Sequence, residues 1–202
     1  MNVQSHWYMS KLIIREVNRR LPIHISETAF VAGSILADYS LITLRHKHLT
    51  TRSLDFIKEN IHFMTTVGPE FEILADNYLV AYHLGIITHY ICDFFCEAHS
   101  GETFGNTREH MQYEDFLDNY RYTHAEQLAR LEWSQDISPM RSPEEINDFL
   151  DSELAAYRSQ GQSVRRDLEL AIGNSIAILY SMAVIRLTQM ELLPSAVVVT
   201  SR

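Results

Sequence analysis

Residues 73–97 read ILADNYLVAYHLGIITHYICDFFCE, and this stretch decides the fold. Aromatic and branched apolar residues occupy most positions on every side of the helix that this pattern predicts, and only Gly85 interrupts them. A helix that is apolar nearly all round belongs in a protein interior. We therefore predict a buried central helix over 73–97, against which the rest of the chain packs.

The segments on both sides of the central helix also have helical rather than alternating periodicity. We predict helices over 5–20, 26–35, 51–64 and 107–133, a helix that begins at 142, and a C-terminal core helix over about 163–192. Neither a repeat nor a convincing strand interrupts this pattern. The expected fold is all-α, a compact single-domain bundle of about six to eight helices that comprises residues 1–202.

Length, composition and charge limit the classes of function. The chain has 202 residues, of which 46% are hydrophobic and 21% are charged, and its net charge is −9. This is enough apolar material for one core. The acidic balance disfavours nucleic acid as a partner without excluding it. The sequence leaves the oligomeric state open.

Signal-peptide features and cysteine usage bear on the expected cellular location. Residues 1–8 lack the basic and apolar segments of a signal peptide. The longest nearly apolar stretch, 170–185, is shorter than the ~18–20 residues that cross a bilayer. We therefore expect no transmembrane segment and a cytoplasmic location. Cys92 and Cys96 lie four apart on the predicted central helix, and we expect them to be buried thiols rather than a disulfide framework.

Histidines and carboxylates at helical spacing mark a candidate metal centre. His89 and Asp93 are four residues apart and share one helix face, and His110 and Glu114 repeat that spacing on the next predicted helix. If the central helix continues past Asp93, His99 lies about 9 Å further along its axis, within reach of a neighbouring ion. The set of His99, His110 and Glu114 leaves a position open for water or substrate, as catalytic zinc requires.

These residues resemble the signature of the zinc-dependent phospholipase C family, which has a histidine, an aspartate four residues on and a histidine six beyond that. His110-xxx-Glu114 also matches the family in order and spacing. Residues 30–38, FVAGSILAD, are similar to the family segment F-x-x-G-S-x-x-P-D, with alanine in place of the usual proline. His48 looks like the histidine that follows that aspartate, with His46 as the alternative, and His6 looks like the first ligand of the family.

The resemblance implies a cofactor of two or three zinc ions and a phosphoester substrate, with a phospholipid as one candidate. The implied ligands are Asp38, His48 and His89 for the first ion, Asp93 and His6 for the second with Asp93 as the bridge, and His99, His110 and Glu114 for the third. A metal-activated water would attack the phosphodiester. Asp38 would have a second, catalytic role, in which it orients or deprotonates that water. Tyr39 is the aromatic candidate for contact with the substrate headgroup.

The N-terminus departs from the family pattern. In secreted relatives the mature N-terminal residue supplies its amine and carbonyl to the metal that the first histidine also holds. Here His6 is five residues from Met1 and no processing signal precedes it. Either water fills those positions or the Met1 amine folds back towards the metal. A cluster of two ions and one of three both stay open.

Three functions are compatible with these residues. The leading hypothesis is a zinc phosphodiesterase of phospholipase C type. A zinc nuclease or nucleotidase of the same fold is the second, and a metal-binding protein with little turnover is the third. The absence of a basic stripe counts against long nucleic-acid substrates.

Overall fold

The computed structural model describes residues 1–39, 50–66, 78–99, 107–131, 133, 137–160 and 163–192. All regular structure within these ranges is helical, which confirms the predicted all-α fold of six to eight helices. The helices are α1 (Val3–Arg20), α2 (Glu27–Leu36), α3 (Thr50–Thr66), α4 (Tyr78–Phe94), α5 (Thr107–Thr123), α6 (Ala125–Arg130), α7 (Pro143–Ser159) and α8 (Val164–Gln189). Two 3-10 turns, Ala37–Tyr39 and Glu97–His99, follow α2 and α4. That residues 1–202 form one domain stays a prediction.

Side-chain caps fix the starts of several helices. Ser26, Ser142 and Ser163 accept backbone N–H bonds at the starts of α2, α7 and α8, and the helix starts predicted at 26 and 142 are confirmed. Asn2 caps α1 in the same way, so that this helix begins at Val3, earlier than predicted. Each cap satisfies one of the N–H groups that a helix start leaves unpaired.

Two predicted helices are shorter than expected. The central helix, α4, ends at Phe94, and the chain then tightens into three-residue hydrogen bonds, from Cys96 N–H to the Asp93 carbonyl and from His99 N–H to the Cys96 carbonyl. The helix predicted over 107–133 breaks after Thr123. The Thr123 hydroxyl donates to the carbonyls of Asn119 and Tyr120, and so competes with backbone N–H groups for the carbonyls in the last turn of α5.

Two glycines bring α2 and α4 into close contact. A methyl group on Gly33 would overlap the backbone carbonyl of Tyr82, and one on Gly85 would overlap the backbone of Phe30 and Ser34. Only a residue without a Cβ fits at such an approach. The contact brings the last turn of α2, and therefore Asp38, next to the C-terminal half of α4.

The C-terminal helix, α8, forms the other side of the core. It contacts α1, α3, α4, α5 and α7, and its apolar residues join the buried cluster to which all eight described helices contribute. By length and composition α8 could cross a membrane, yet 72% of its most apolar 18-residue window is buried within the protein. That burial is typical of a core helix.

Candidate metal centre

His89 is held with one ring nitrogen directed into the centre. The residue is fully buried on α4, and its Nδ1–H donates to the carbonyl oxygen of Ser34 on α2 at 2.8 Å. A carbonyl accepts but never donates, so Nδ1 carries a proton, and Nε2 is the ring nitrogen that faces the centre. That Nε2 lies 3.4 Å from Oδ1 of Asp38 and 3.4 Å from Oδ2 of Asp93. A backbone partner of this kind is the usual support of a metal-ligating histidine.

Asp93 uses its two carboxylate oxygens in different directions. Oδ2 lies by His89, whereas Oδ1 lies 3.2 Å from Nε2 of His6 and 2.7 Å from the Met1 amine. Burial would raise the pKa of Asp93, but the charges of His99 and of the Met1 amine hold it well below its usual range. An ionised carboxylate whose two oxygens have different histidine partners has the arrangement that a bridging ligand needs.

His6 is the clearest sign that the folded chain leaves ligand atoms over. Its side chain is 1% exposed, and neither ring nitrogen makes a well-aligned hydrogen bond, although Nε2 approaches Asp93. The ring stacks on that of His89 with centroids 3.9 Å apart. Burial, and then the proximity of His89, lower the pKa of His6 to about 3, so its imidazole is neutral. A buried, neutral imidazole without a well-aligned hydrogen bond is available to bind a metal.

The Met1 amine reaches the centre. Its nitrogen lies 2.7 Å from Oδ1 of Asp93, 2.9 Å from Nε2 of His99 and 3.1 Å from Oε1 of Glu114. Burial opposes its charge, but Asp93, Cys96 and Glu114 outweigh burial and raise the pKa of the amine to about 11. Of the two alternatives left open by the sequence, the structure favours the one in which the Met1 amine folds back.

His99, His110 and Glu114 form a second set of candidate ligands. Oε1 of Glu114 lies 3.2 Å from Nε2 of His99 and 3.1 Å from Nε2 of His110. Burial would raise the pKa of Glu114, but the hydrogen bond from His99 and the charge of the Met1 amine lower it to about 2. The condition that the central helix continues past Asp93 to His99 is not met, because α4 ends at Phe94 and His99 lies on the following 3-10 turn.

Asp38 lies at the rim of the centre. The Asp38 side chain is 37% exposed, whereas that of Asp93 is 2% exposed. Asp38 lies on the 3-10 turn Ala37–Tyr39, directly after α2. The neighbouring Tyr39 is 75% exposed, and its contact with a substrate stays a prediction. His46 and His48 lie outside the described residues, so the choice between them as ligand also stays a prediction.

Helices α1 and α5 are tied together beside the centre. The Ser5 hydroxyl donates to Oδ1 of Asp118 at 3.1 Å, and Arg121 donates to the same oxygen at 2.8 Å. The Tyr8 hydroxyl donates to the carbonyl of Ala125 at 2.6 Å. The bond from Ser5 to Asp118 fixes the helix of His6 relative to the helix of His110 and Glu114, and the bond from Tyr8 joins α1 to the start of α6. Sequence reasoning missed them, because no local pattern relates residues so far apart in the chain.

A buried carboxylate, also missed by sequence reasoning, lies behind the second set. Asp167 on α8 is fully buried and accepts hydrogen bonds from the hydroxyls of Tyr113 and Tyr157 and from the backbone N–H of Glu97. Burial raises its pKa, and these hydrogen bonds partly oppose the rise. The one signal in the sequence is an acid in the first turn of α8, a position that is also ordinary for a helix start.

The described residues fit zinc. They contain two groups with ligand atoms within 4.8 Å of one another, His6 with His89 and Asp93, and His99 with His110 and Glu114. Imidazole and carboxylate are ligands that zinc prefers, and two ligands on a tetrahedral zinc with bonds of about 2.0–2.1 Å lie about 3.3 Å apart. The pairs described above, from 3.1 Å for His110 and Glu114 to 3.4 Å for His89 and Asp93, have that separation.

Comparison with known proteins agrees with this geometry. The model of the family described as zinc-dependent phospholipase C matches residues 5–164. The match spans every candidate ligand from His6 to Glu114 and covers most of the chain. No curated protein and no solved structure matches the chain.

Proposed function

Because the chain belongs to the zinc-dependent phospholipase C family, we propose that it hydrolyses a phosphodiester at a cluster of two or three zinc ions held by the residues described above. Family membership implies a zinc-dependent hydrolase of phospholipase C type. One observation carries the finer proposal: the two carboxylate oxygens of Asp93 have different histidine partners, Oδ1 beside His6 and Oδ2 beside His89. A carboxylate with this arrangement can bridge two ions, as a multinuclear site requires.

Different candidate ligands would bind different ions of the cluster. Asp38 and His89 would hold one ion, with His48 as the further ligand that the family pattern suggests. Asp93 would bridge to a second ion beside His6, and His99, His110 and Glu114 would hold a third. The Met1 amine lies beside Asp93 and His99 and, once deprotonated, would have a lone pair to offer to an ion held by either.

The rest of the mechanism belongs to the side chains around the reacting phosphate. Bound zinc would supply Lewis-acid polarisation of the phosphoester and lower the pKa of the attacking water. Asp38, at the exposed rim, would accept a proton from that water as its oxygen bonds to phosphorus, and would return the proton to the leaving alkoxide, which departs as the alcohol. Tyr39, exposed beside it, would contact the group attached to the phosphate. A phospholipid is the substrate that the family suggests.

Zinc content and turnover test this proposal together. We expect at least two zinc ions per chain under saturating zinc, and hydrolysis of phosphatidylcholine or of a chromogenic phosphodiester. Fewer than two ions would overturn the multinuclear site. Zinc without turnover on either compound would favour a binding protein, and hydrolysis of single-stranded DNA alone would favour a nuclease.

The bridging residue provides the sharpest variant. Asp93→Asn should lose at least one zinc ion and most of the activity, because changes outside the ligand shell already cost about 10–100-fold and a bridging ligand should cost more. Asp148→Asn is the matched control, since Asp148 is an exposed acid on α7. An Asp93→Asn protein with the zinc content of the wild type would show that the cluster is centred elsewhere.

A further inference from the structure

Asp167 connects the two elements that carry the second ligand set. Its Oδ2 accepts a hydrogen bond of 2.6 Å from the Tyr113 hydroxyl and one of 2.9 Å from the Glu97 backbone N–H. Tyr113 directly precedes Glu114 on α5, and Glu97 begins the 3-10 turn that ends at His99. One oxygen of a fully buried carboxylate thus contacts both the helix of Glu114 and the turn of His99.

The second ligand set needs such a connection. His99 lies on a three-residue turn after α4, whereas His110 and Glu114 lie on α5, so the metal-facing atoms belong to different elements. Metal ligands must be held to within about 0.5 Å of their working positions. A buried acceptor that contacts both elements holds His99 and Glu114 at a fixed separation. That separation is 3.2 Å between Nε2 and Oε1.

We propose that Asp167 is a positioning residue, which holds the Glu97–His99 turn and α5 in register so that His99, His110 and Glu114 converge on one zinc ion. This inference rests on the proposed function, because it assumes that these three residues bind zinc. Asp167 itself touches neither metal nor substrate in this account. It acts through the backbone of Glu97 and the hydroxyl of Tyr113.

The other oxygen of Asp167 provides an internal control. Oδ1 accepts a hydrogen bond of 2.8 Å from the hydroxyl of Tyr157, which lies on α7. No candidate ligand lies on α7. Tyr157→Phe and Tyr113→Phe each remove one hydroxyl that donates a hydrogen bond to Asp167. Only Tyr113→Phe removes a hydrogen bond from an element that carries a candidate ligand. A purely structural role of Asp167 predicts the same effect on zinc for both variants.

The experiment is a zinc titration against a competing chelator on the full chain, for the wild type and both variants. We expect Tyr113→Phe to weaken the binding of one zinc ion at least about 10-fold, the lower range for a residue behind a ligand, and Tyr157→Phe to leave all zinc affinities at the wild-type values. Equal losses in the two variants, or no loss in either, would overturn the inference.

A double variant separates the route through Asp167 from a local effect on α5. If Tyr113 acts through Asp167, Tyr113→Phe should weaken zinc binding no further in an Asp167→Asn background. Additive losses would overturn the inference, and the Tyr113→Phe and Tyr157→Phe comparison decides alone if Asp167→Asn does not fold. A wild-type protein that binds no zinc would overturn the proposed function as well, which distinguishes that failure from this one.

Discussion

His6 represents a cost to the metal-free fold. A buried polar group without a well-aligned hydrogen bond is destabilising, and neither ring nitrogen of His6 makes one at 1% exposure. The stacked ring of His89 does not replace a hydrogen bond. Functional sites are where proteins keep such costs, because a ligand can later offset them. The chemistry of His6 therefore has a consequence for stability that can be measured without substrate.

The metal-free protein should lose stability as the pH falls below 6.5. The unfolded chain protonates His6 near its ordinary pKa of about 6.5, whereas the folded protein resists the proton until pH about 3. Since the unfolded state binds more protons in this window, His6 alone should lower the free energy of unfolding by about 2 kcal/mol between pH 7.5 and pH 5. Urea unfolding in EDTA at the two pH values measures this difference.

A variant pair identifies His6 as the source of that change. His6→Gln should reduce the loss between pH 7.5 and pH 5 by about the same 2 kcal/mol. His24→Gln, at an exposed position between α1 and α2, is the control and should leave the loss unchanged. Glu114, whose pKa is lowered to about 2, contributes at a lower pH, between about 4.5 and 2. A loss that persists in full in His6→Gln would contradict the assignment.

At the scale of elements, the contact of α2 with α4 positions the first ligand set. The Ser34 carbonyl on α2 orients His89 on α4, and the same approach brings Asp38 to 3.4 Å from that imidazole. Both contacts require the helix backbones to lie as close as Gly33 and Gly85 allow. The geometry of the first ligand set therefore depends on the close packing of α2 against α4.

Gly85→Ala should separate the two helices and disturb the centre. The added methyl group meets backbone atoms of Phe30 and Ser34, which cannot rotate away as a flexible side chain could. Overpacking of this kind costs about 1–3 kcal/mol, and a shifted Ser34 carbonyl would also release His89. Denaturant unfolding and zinc content together measure both effects.

Gly173→Ala is the matched control for that substitution. Gly173 also lies within a helix, α8, but the nearest atom to an added methyl group is the Trp133 ring at 3.8 Å, an ordinary contact. Alanine favours a helix over glycine by about 1 kcal/mol. Gly173→Ala should therefore be neutral or stabilising with unchanged zinc content. A Gly85→Ala protein that behaves in the same way would show that the crossing is not tight.

The elements differ in how far the sequence predicts them. Periodicity and caps were sufficient for the central helix and for the starts of α2 and α7, because these features depend on neighbours in the chain. The end of α4 was not predictable from the apolar pattern, which continues through Phe95 and Cys96. The helix gives way to a turn that carries His99 to α5, and the hydrogen bond from Tyr113 to Asp167 likewise joins distant segments.

At the scale of the whole molecule, the candidate ligands among the described residues come from several elements that meet at the metal centre. They lie on α1, α4 and α5 and on the two 3-10 turns, so bound ions would cross-link elements that the chain joins through long connections. Ions that bind only the folded arrangement stabilise all of it by mass action. The net charge of −9 adds to this, because positive ions reduce the mutual repulsion of the acids.

Zinc should therefore raise the melting temperature of the intact protein. An ion present at 100 times its Kd contributes about 2.7 kcal/mol, and for a chain of this size each kcal/mol corresponds to about 2–4 °C. We expect a rise of about 5–10 °C for each ion bound at that excess, reversed by EDTA. Magnesium is the control ion, since it prefers oxygen ligands and several waters over imidazole. Asp93→Asn should show a smaller rise than the wild type, because its bridge is lost. Equal melting temperatures with zinc and with EDTA would mean that the histidines and carboxylates of this centre do not hold the metal.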